Sequence, residues 1–219
     1  MIVAFANQKG GVGKTTSCVT LAHLMSLEGE SVTVLDLDSP SELKDVGASS
    51  AYRKAQSLGI PVYTYDNLTD SLDGHLLIDC PPDLANRGAQ EAVEGADLVV
   101  IPTSPSYDDL EVTLPYADTI KRPLKLLLTQ VHPNQNADSL IHSLRKSGYD
   151  AFGNTVTEYG IYKETAPGDD ERISALFKQG RRQPRFAAVS AISTVAGRRA
   201  TKDYLGVLHE LKRTLKEMV

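Results

Sequence analysis

Tryptophan is absent from this 219-residue chain, phenylalanine occurs four times, methionine three times and cysteine only twice. Two thiols cannot make a disulfide framework. Cys18, inside a helical pattern, and Cys80, after an apolar strand, read as reduced core residues of a cytosolic chain. No apolar run reaches the roughly 18 residues that a membrane-crossing helix needs. A strand pattern begins at Ile2, which leaves no room for a signal peptide. The five histidines (His23, His75, His132, His142 and His209) show no metal-ligand spacing and read as structural or surface residues. No internal repeat, low-complexity tract or linker interrupts the chain. One α/β domain over residues 1–219 is therefore expected, long enough to bury a substantial core.

Charge is present but unevenly placed. The formal net charge is −5. Residues 1–171 carry 12 Lys/Arg against 25 Asp/Glu, whereas residues 172–219 carry 11 against 3. The modest net charge hides a basic C-terminal quarter, and such asymmetry points to a polyanionic partner. Arg181, Arg182, Arg185, Arg198, Arg199 and Lys202 cluster in and around expected turns instead of pairing with acids along helices. Phe186 is the one aromatic residue among them, so they suit phosphate contacts more than base stacking or sequence reading.

The most informative stretch is Asn7-Gln8-Lys9-Gly10-Gly11-Val12-Gly13-Lys14-Thr15-Thr16. An apolar strand precedes it, and Cys18, Leu21, Ala22 and Met25 follow at helical spacing. Strand, glycine-rich turn and helix together form the setting of a phosphate-binding loop. Glycines 10, 11 and 13 let backbone N–H groups face phosphate oxygens, and a helix starting near Thr15 aims its positive end at the same anion. Lys14 can reach the β- and γ-phosphates, and the Thr15 hydroxyl can ligate Mg²⁺. Gln8 replaces the first glycine of the usual motif, and a second lysine, Lys9, opens the loop.

Further strands are expected at 31–37, 60–63, 75–79, 97–103, 124–129 and 151–156. Helices are expected at 41–58 (Leu43, Val46 and Ala55 inward), 106–121, 136–147 and 171–179, followed by a final helix with Tyr204, Leu208, Leu211, Leu215 and Met218 on one face. Pro61 assigns its strand to an edge. The continuous apolar runs are those of a mostly parallel sheet with helices on both faces. Three strand-end loops, 9–16, 36–38 and 79–82, converge on the edge where such sheets bind ligands.

The arrangement Lys-Gly-Gly-x-Gly-Lys-Thr-Thr resembles the deviant Walker A loop of the ParA/MinD family of dimeric P-loop ATPases, and the likeness extends to Asp36-Leu37-Asp38 and Asp79-Cys80-Pro81-Pro82. It implies ATP and Mg²⁺ as cofactors, with residues 10–16 (Gly10, Gly11, Val12, Gly13, Lys14, Thr15 and Thr16) around the nucleotide. It also implies Asp38 as the residue that positions the attacking water, Thr15, Asp38 and Asp79 around the metal, and Lys9 reaching the partner's phosphates across an ATP-bound homodimer. The family places a polar side chain near adenine at the end of one strand, where this chain has Thr129 and Gln130. Ser39-Pro40 stands where the family more often has Pro-Gln. Residues 83–88 correspond to its γ-phosphate switch.

Three functions fit. A ParA-type ATPase would bind nonspecific DNA as a dimer in the cytoplasm, on the nucleoid, and answer to a ParB-like stimulating partner. A MinD-like enzyme would attach to membrane, but the last helix carries Glu210 and Glu217 and ends in Met218-Val219 without a basic apolar tail. A small-substrate ligase on the same scaffold is the third. No helix-turn-helix precedes the first strand, so a fused autorepressor domain is not expected.

Overall fold

A computed structural model describes residues 1–38, 50–68, 73–83, 85–158 and 195–218. The elements run β1 (Ile2–Phe5), α1 (Lys14–Leu27), β2 (Val32–Asp36), α2 (Ser50–Ser57), β3 (Val62–Thr64), a 3₁₀ turn (Tyr65–Asn67), β4 (His75–Asp79), α3 (Arg87–Gly95), β5 (Leu98–Thr103), α4 (Tyr107–Thr119), β6 (Leu124–Leu128), α5 (Ala137–Lys146) and α6 (Val195–Glu217). The six strands form one sheet in the order β3-β2-β4-β1-β5-β6, and every pairing is parallel. The strand with Pro61 at its start lies at the edge, as its missing N–H requires.

Alternation along the strands sorts the core into two layers, since successive side chains point to opposite faces. Val3, Phe5, Val34, Leu77, Val100 and Leu127 pack under α1, α2 and α6. Ala4, Leu35, Ile78, Val99, Ile101 and Leu128 pack under α3, α4 and α5. Covered on both faces, the strands can be apolar throughout. The pattern of α1 is less one-sided than a surface helix because α2 and α6 both pack against it. Even its Ser17 is fully buried, its hydroxyl paired with that of Tyr204 on α6 at 3.1 Å.

Two expectations change. The expected strand at 151–156 is reduced to isolated bridges at Ala151 and Thr157 beside β6. The reason lies in α6: Glu210 accepts the N–H groups of Gly153 and Asn154, so this stretch cannot give them to β6. Glu210 is buried and also pairs with Lys125 at 3.4 Å. Met218 leaves the apolar stripe and is 42% exposed, whereas Tyr204, Leu208, Leu211 and Leu215 are buried. Leu43, Val46, the 171–179 helix and Arg181, Arg182 and Arg185 lie outside the described residues. Among the described residues no helix is long and apolar enough to cross a membrane.

Candidate functional site

The site gathers at the C-terminal ends of β1, β2 and β4, where the chain leaves the sheet in opposite directions from its two central strands. After Phe5 the loop turns through Gly11 (φ 78°) and Gly13 (φ 90°), left-handed conformations that a side chain resists. Gly13 stands at the start of α1 with its carbonyl already bonded to the Ser17 N–H at 2.9 Å. The loop thus presents its amides and the positive end of α1 to one point.

Lys14 is 7% exposed and donates to the Lys9 carbonyl at 3.0 Å. Burial pulls its ammonium below the ordinary lysine range, and the nearby Asp79 and Asp38 charges oppose that pull. The Thr15 hydroxyl donates to Asp79 Oδ2 at 2.7 Å. Asp79 is almost fully buried, and its Oδ1 has no hydrogen-bond partner among the described residues. Burial, Asp36 and Asp38 push its carboxyl up to about 7 against the Thr15 hydrogen bond and Lys14. Asp36 Oδ1 accepts the Asp38 N–H at 3.0 Å, which bends the chain and brings Asp38 to the open edge. Burial and Asp36 raise the Asp38 carboxyl.

These residues fit Mg²⁺. A buried carboxylate oxygen without a partner, beside a threonine hydroxyl and under a cluster of acids, is an oxygen donor set with negative charge to spare. Among the described residues no three carboxylates, imidazoles or thiols form a complete cage. A cation here would therefore draw further ligands from water and from phosphate oxygens, the usual habit of Mg²⁺.

Thr129 and Gln130 face the loop from behind. The Thr129 hydroxyl donates to the Val12 carbonyl at 2.7 Å, and the Gln130 amide donates to the Gly11 carbonyl. Gln130 holds φ 54°, the single positive-φ position outside glycine among the described residues. Both side chains brace the phosphate loop in this state. Lys202 is exposed on α6, which also carries Arg198 and Arg199.

Sequence reasoning missed the surroundings of Lys9. Its ammonium pairs with Asp109 Oδ1 at 3.2 Å, and Asp109 Oδ2 accepts from Ser104 at 2.5 Å. Its N–H donates to the side chain of Asn7, which is fully buried. Asn7 stood within the motif, but its contacts lie about a hundred residues away and leave no local signal. Lys54 on α2 was also missed: it is buried and lies within the field of Asp79.

The family model of the CobQ/CobB/MinD/ParA nucleotide-binding domain matches residues 3–217. The chain is 30% identical to the maintenance of carboxysome distribution protein A of Gloeobacter kilaueensis, over 97% of this chain and 94% of that protein. It is 35% identical to the chromosome-partitioning ATPase Soj of Thermus thermophilus, over 49% of this chain and 47% of Soj. The fold is similar to that of the plasmid partition protein from Borrelia burgdorferi B31 bound to AMPPNP (TM-score 0.59, 20% identity, 97% and 98% covered). It is also similar to that of MinD from Pyrococcus horikoshii complexed with Mg-ADP (TM-score 0.63, 15% identity, 100% and 98% covered).

Proposed function

Because this chain belongs to the CobQ/CobB/MinD/ParA nucleotide-binding family, we propose that it is a ParA-type, Mg²⁺-dependent ATPase that dimerises on ATP, binds nonspecific DNA and positions a cargo. The observation that carries this reading is the assembled site: Lys14, Thr15 and Asp79 in mutual contact or field, with a second lysine at the mouth of the loop. Mg²⁺ would be held on the side of Thr15, Asp38 and Asp79 and would supply positive charge against the charge of the transferring phosphoryl group. Lys14 and the loop amides hold the phosphate oxygens. Asp79 anchors the Thr15 side of the metal position, and Asp38, at the open edge, orients the attacking water. A relative matched over 94% of its length is a carboxysome-distribution protein, and one matched over 47% of its length is a chromosome-partitioning ATPase, so the positioning class has support from both. The stimulating partner expected for this class is ParB-like.

Asp38→Ala should trap the ATP-bound dimer. Removing the water-orienting carboxylate slows hydrolysis by roughly 10²–10⁴-fold while phosphate contacts remain. Single-turnover hydrolysis of radiolabelled ATP measures this, and equal rates in mutant and wild type would remove Asp38 from the mechanism.

The DNA role rests on α6 and the basic segment before it. If a dimer neutralises about four phosphates, affinity should fall roughly a hundredfold between 50 and 200 mM salt. Replacing Arg198 and Arg199 with Glu should abolish DNA binding, with AMPPNP-dependent dimerisation as the control for folding. Fluorescence anisotropy on two unrelated duplexes, with and without ATP, decides the matter. Binding to anionic liposomes under ATP, with DNA ignored, would replace this reading by a membrane-surface one.

A further inference from the structure

We propose that Asn7 and Thr113 form a positioning pair for Lys9, so that α4, together with the phosphate-loop helix α1, sets where the trans lysine stands. This rests on the dimeric-ATPase reading above.

Asn7 sits just beyond β1 and is fully buried. A buried primary amide must find partners for its two N–H groups and its oxygen. Its Nδ2 donates to the Pro102 carbonyl at 2.8 Å and to the Thr113 hydroxyl oxygen at 2.9 Å, and its Oδ1 accepts the Lys9 N–H at 3.0 Å. All three ends of the amide are therefore used, and one of them fixes the peptide of Lys9. Thr113 is also fully buried, and its hydroxyl lies 3.1 Å from that of Thr103.

Thr113 and Asp109 are four residues apart on α4, so they lie on one face of that helix, a turn apart. Asp109 holds the ammonium of Lys9 at 3.2 Å, while Thr113, through Asn7, holds its main chain. Both ends of the lysine are referenced to the same helix face. The Lys9 carbonyl is held from the other side, by Lys14 at the start of α1, at 3.0 Å. The Asp109 pair is half exposed and exchangeable, because surface ion pairs contribute about 0–1 kcal/mol. The Asn7–Thr113 bond is buried and persists when the ammonium leaves Asp109. The lysine can thus swing outward from a fixed peptide, which places its side chain reproducibly for a partner's phosphates.

The test is Thr113→Val, which keeps the shape of the side chain and removes the hydroxyl, with Thr113→Ser as the conservative rescue. Dimerisation driven by AMPPNP is followed by sedimentation velocity. Thr113→Val should raise the dimer dissociation constant about tenfold, about 1.4 kcal/mol and within the range of one buried hydrogen bond. Thr113→Ser should restore it to within about twofold of wild type. Thr103→Val removes a buried hydroxyl one step farther from Lys9 and serves as the packing control; it should lower thermal stability comparably with a much smaller effect on dimerisation. Wild-type dimerisation in Thr113→Val, equal impairment in Thr113→Ser, or equal impairment in Thr103→Val each overturns the proposal. Lys9→Ala separates this proposal from the reading it rests on. If Lys9→Ala dimerises normally, the trans role itself is wrong. If Lys9→Ala fails to dimerise while Thr113→Val succeeds, only the positioning pair is lost.

Discussion

Lys9→Ala should bind ATP and remain monomeric. The lysine builds the phosphate loop through its main chain alone: Lys14 rests on its carbonyl and its N–H donates to Asn7, both of which alanine retains, and Asp109 keeps its Ser104 bond. What is lost is a cation supplied to a partner's phosphates, the equivalent of an arginine finger in trans. Such fingers contribute roughly 10³–10⁵ in rate, about 4–7 kcal/mol of barrier. Leaving Asp109 costs far less, because that pair is 41% and 16% exposed at its two ends. Light scattering with a nonhydrolysable analogue and partner-stimulated turnover read the two losses separately. Normal dimerisation of the variant would show that Lys9 is a surface residue beside the loop.

Asp79→Asn should stabilise the protein in the absence of nucleotide and metal, and weaken its response to both. The carboxyl titrates near 7 in the folded chain, because it is buried beside Asp36 and Asp38, against about 3.8 in the unfolded chain. Between these values the folded state holds a proton that the unfolded state has lost, so stability falls as pH rises through that window. About three pH units correspond to roughly 4 kcal/mol, all of it missing above pH 7. Asparagine keeps an acceptor for Thr15 and carries no charge. The variant's profile should therefore be flatter from pH 4 to 7, and at pH 8 it should melt about ten degrees higher than wild type. Adding Mg²⁺ and ATP should close the gap by stabilising only the wild type fully. Differential scanning calorimetry across pH measures both effects. Parallel pH profiles for the two proteins would mean that Asp79 is not the titrating group.

The parts of this molecule that could be read from its sequence are those whose causes lie close together in the chain. β1, the glycine loop and α1 announce themselves within 27 residues, because the apolar run, the turn chemistry and the helical spacing are all local. The acid at the end of β4 was equally plain. The contact between Thr15 and Asp79 spans 64 residues; the family resemblance implied only that both stand around one metal. The bracing of the loop by Thr129 and Gln130 was not legible, since their partners are backbone carbonyls that any residue offers. The broken strand at 151–156 shows the same limit. Its composition suits a strand, and a glutamate 57 residues later takes the N–H groups of Gly153 and Asn154, while Phe152 and Val156 still donate to β6. Met218 followed the helical spacing of its stripe, but spacing does not say where the sheet beneath the helix ends.

The place of β1 in the middle of the sheet also governs how the protein comes to be. Its neighbours are β4 and β5, and Ile2 donates to a carboxylate 95 residues away. A ribosome adding roughly 5–20 residues per second leaves this first strand without either neighbour for several seconds. During that time Ile2–Phe5 and the apolar side of α1 have nowhere to pack. Sheets closed by distant pairings also form slowly once complete. The nascent chain is thus most exposed to misassociation at β1 and α1, on either side of the glycine-rich loop, until β5 has emerged.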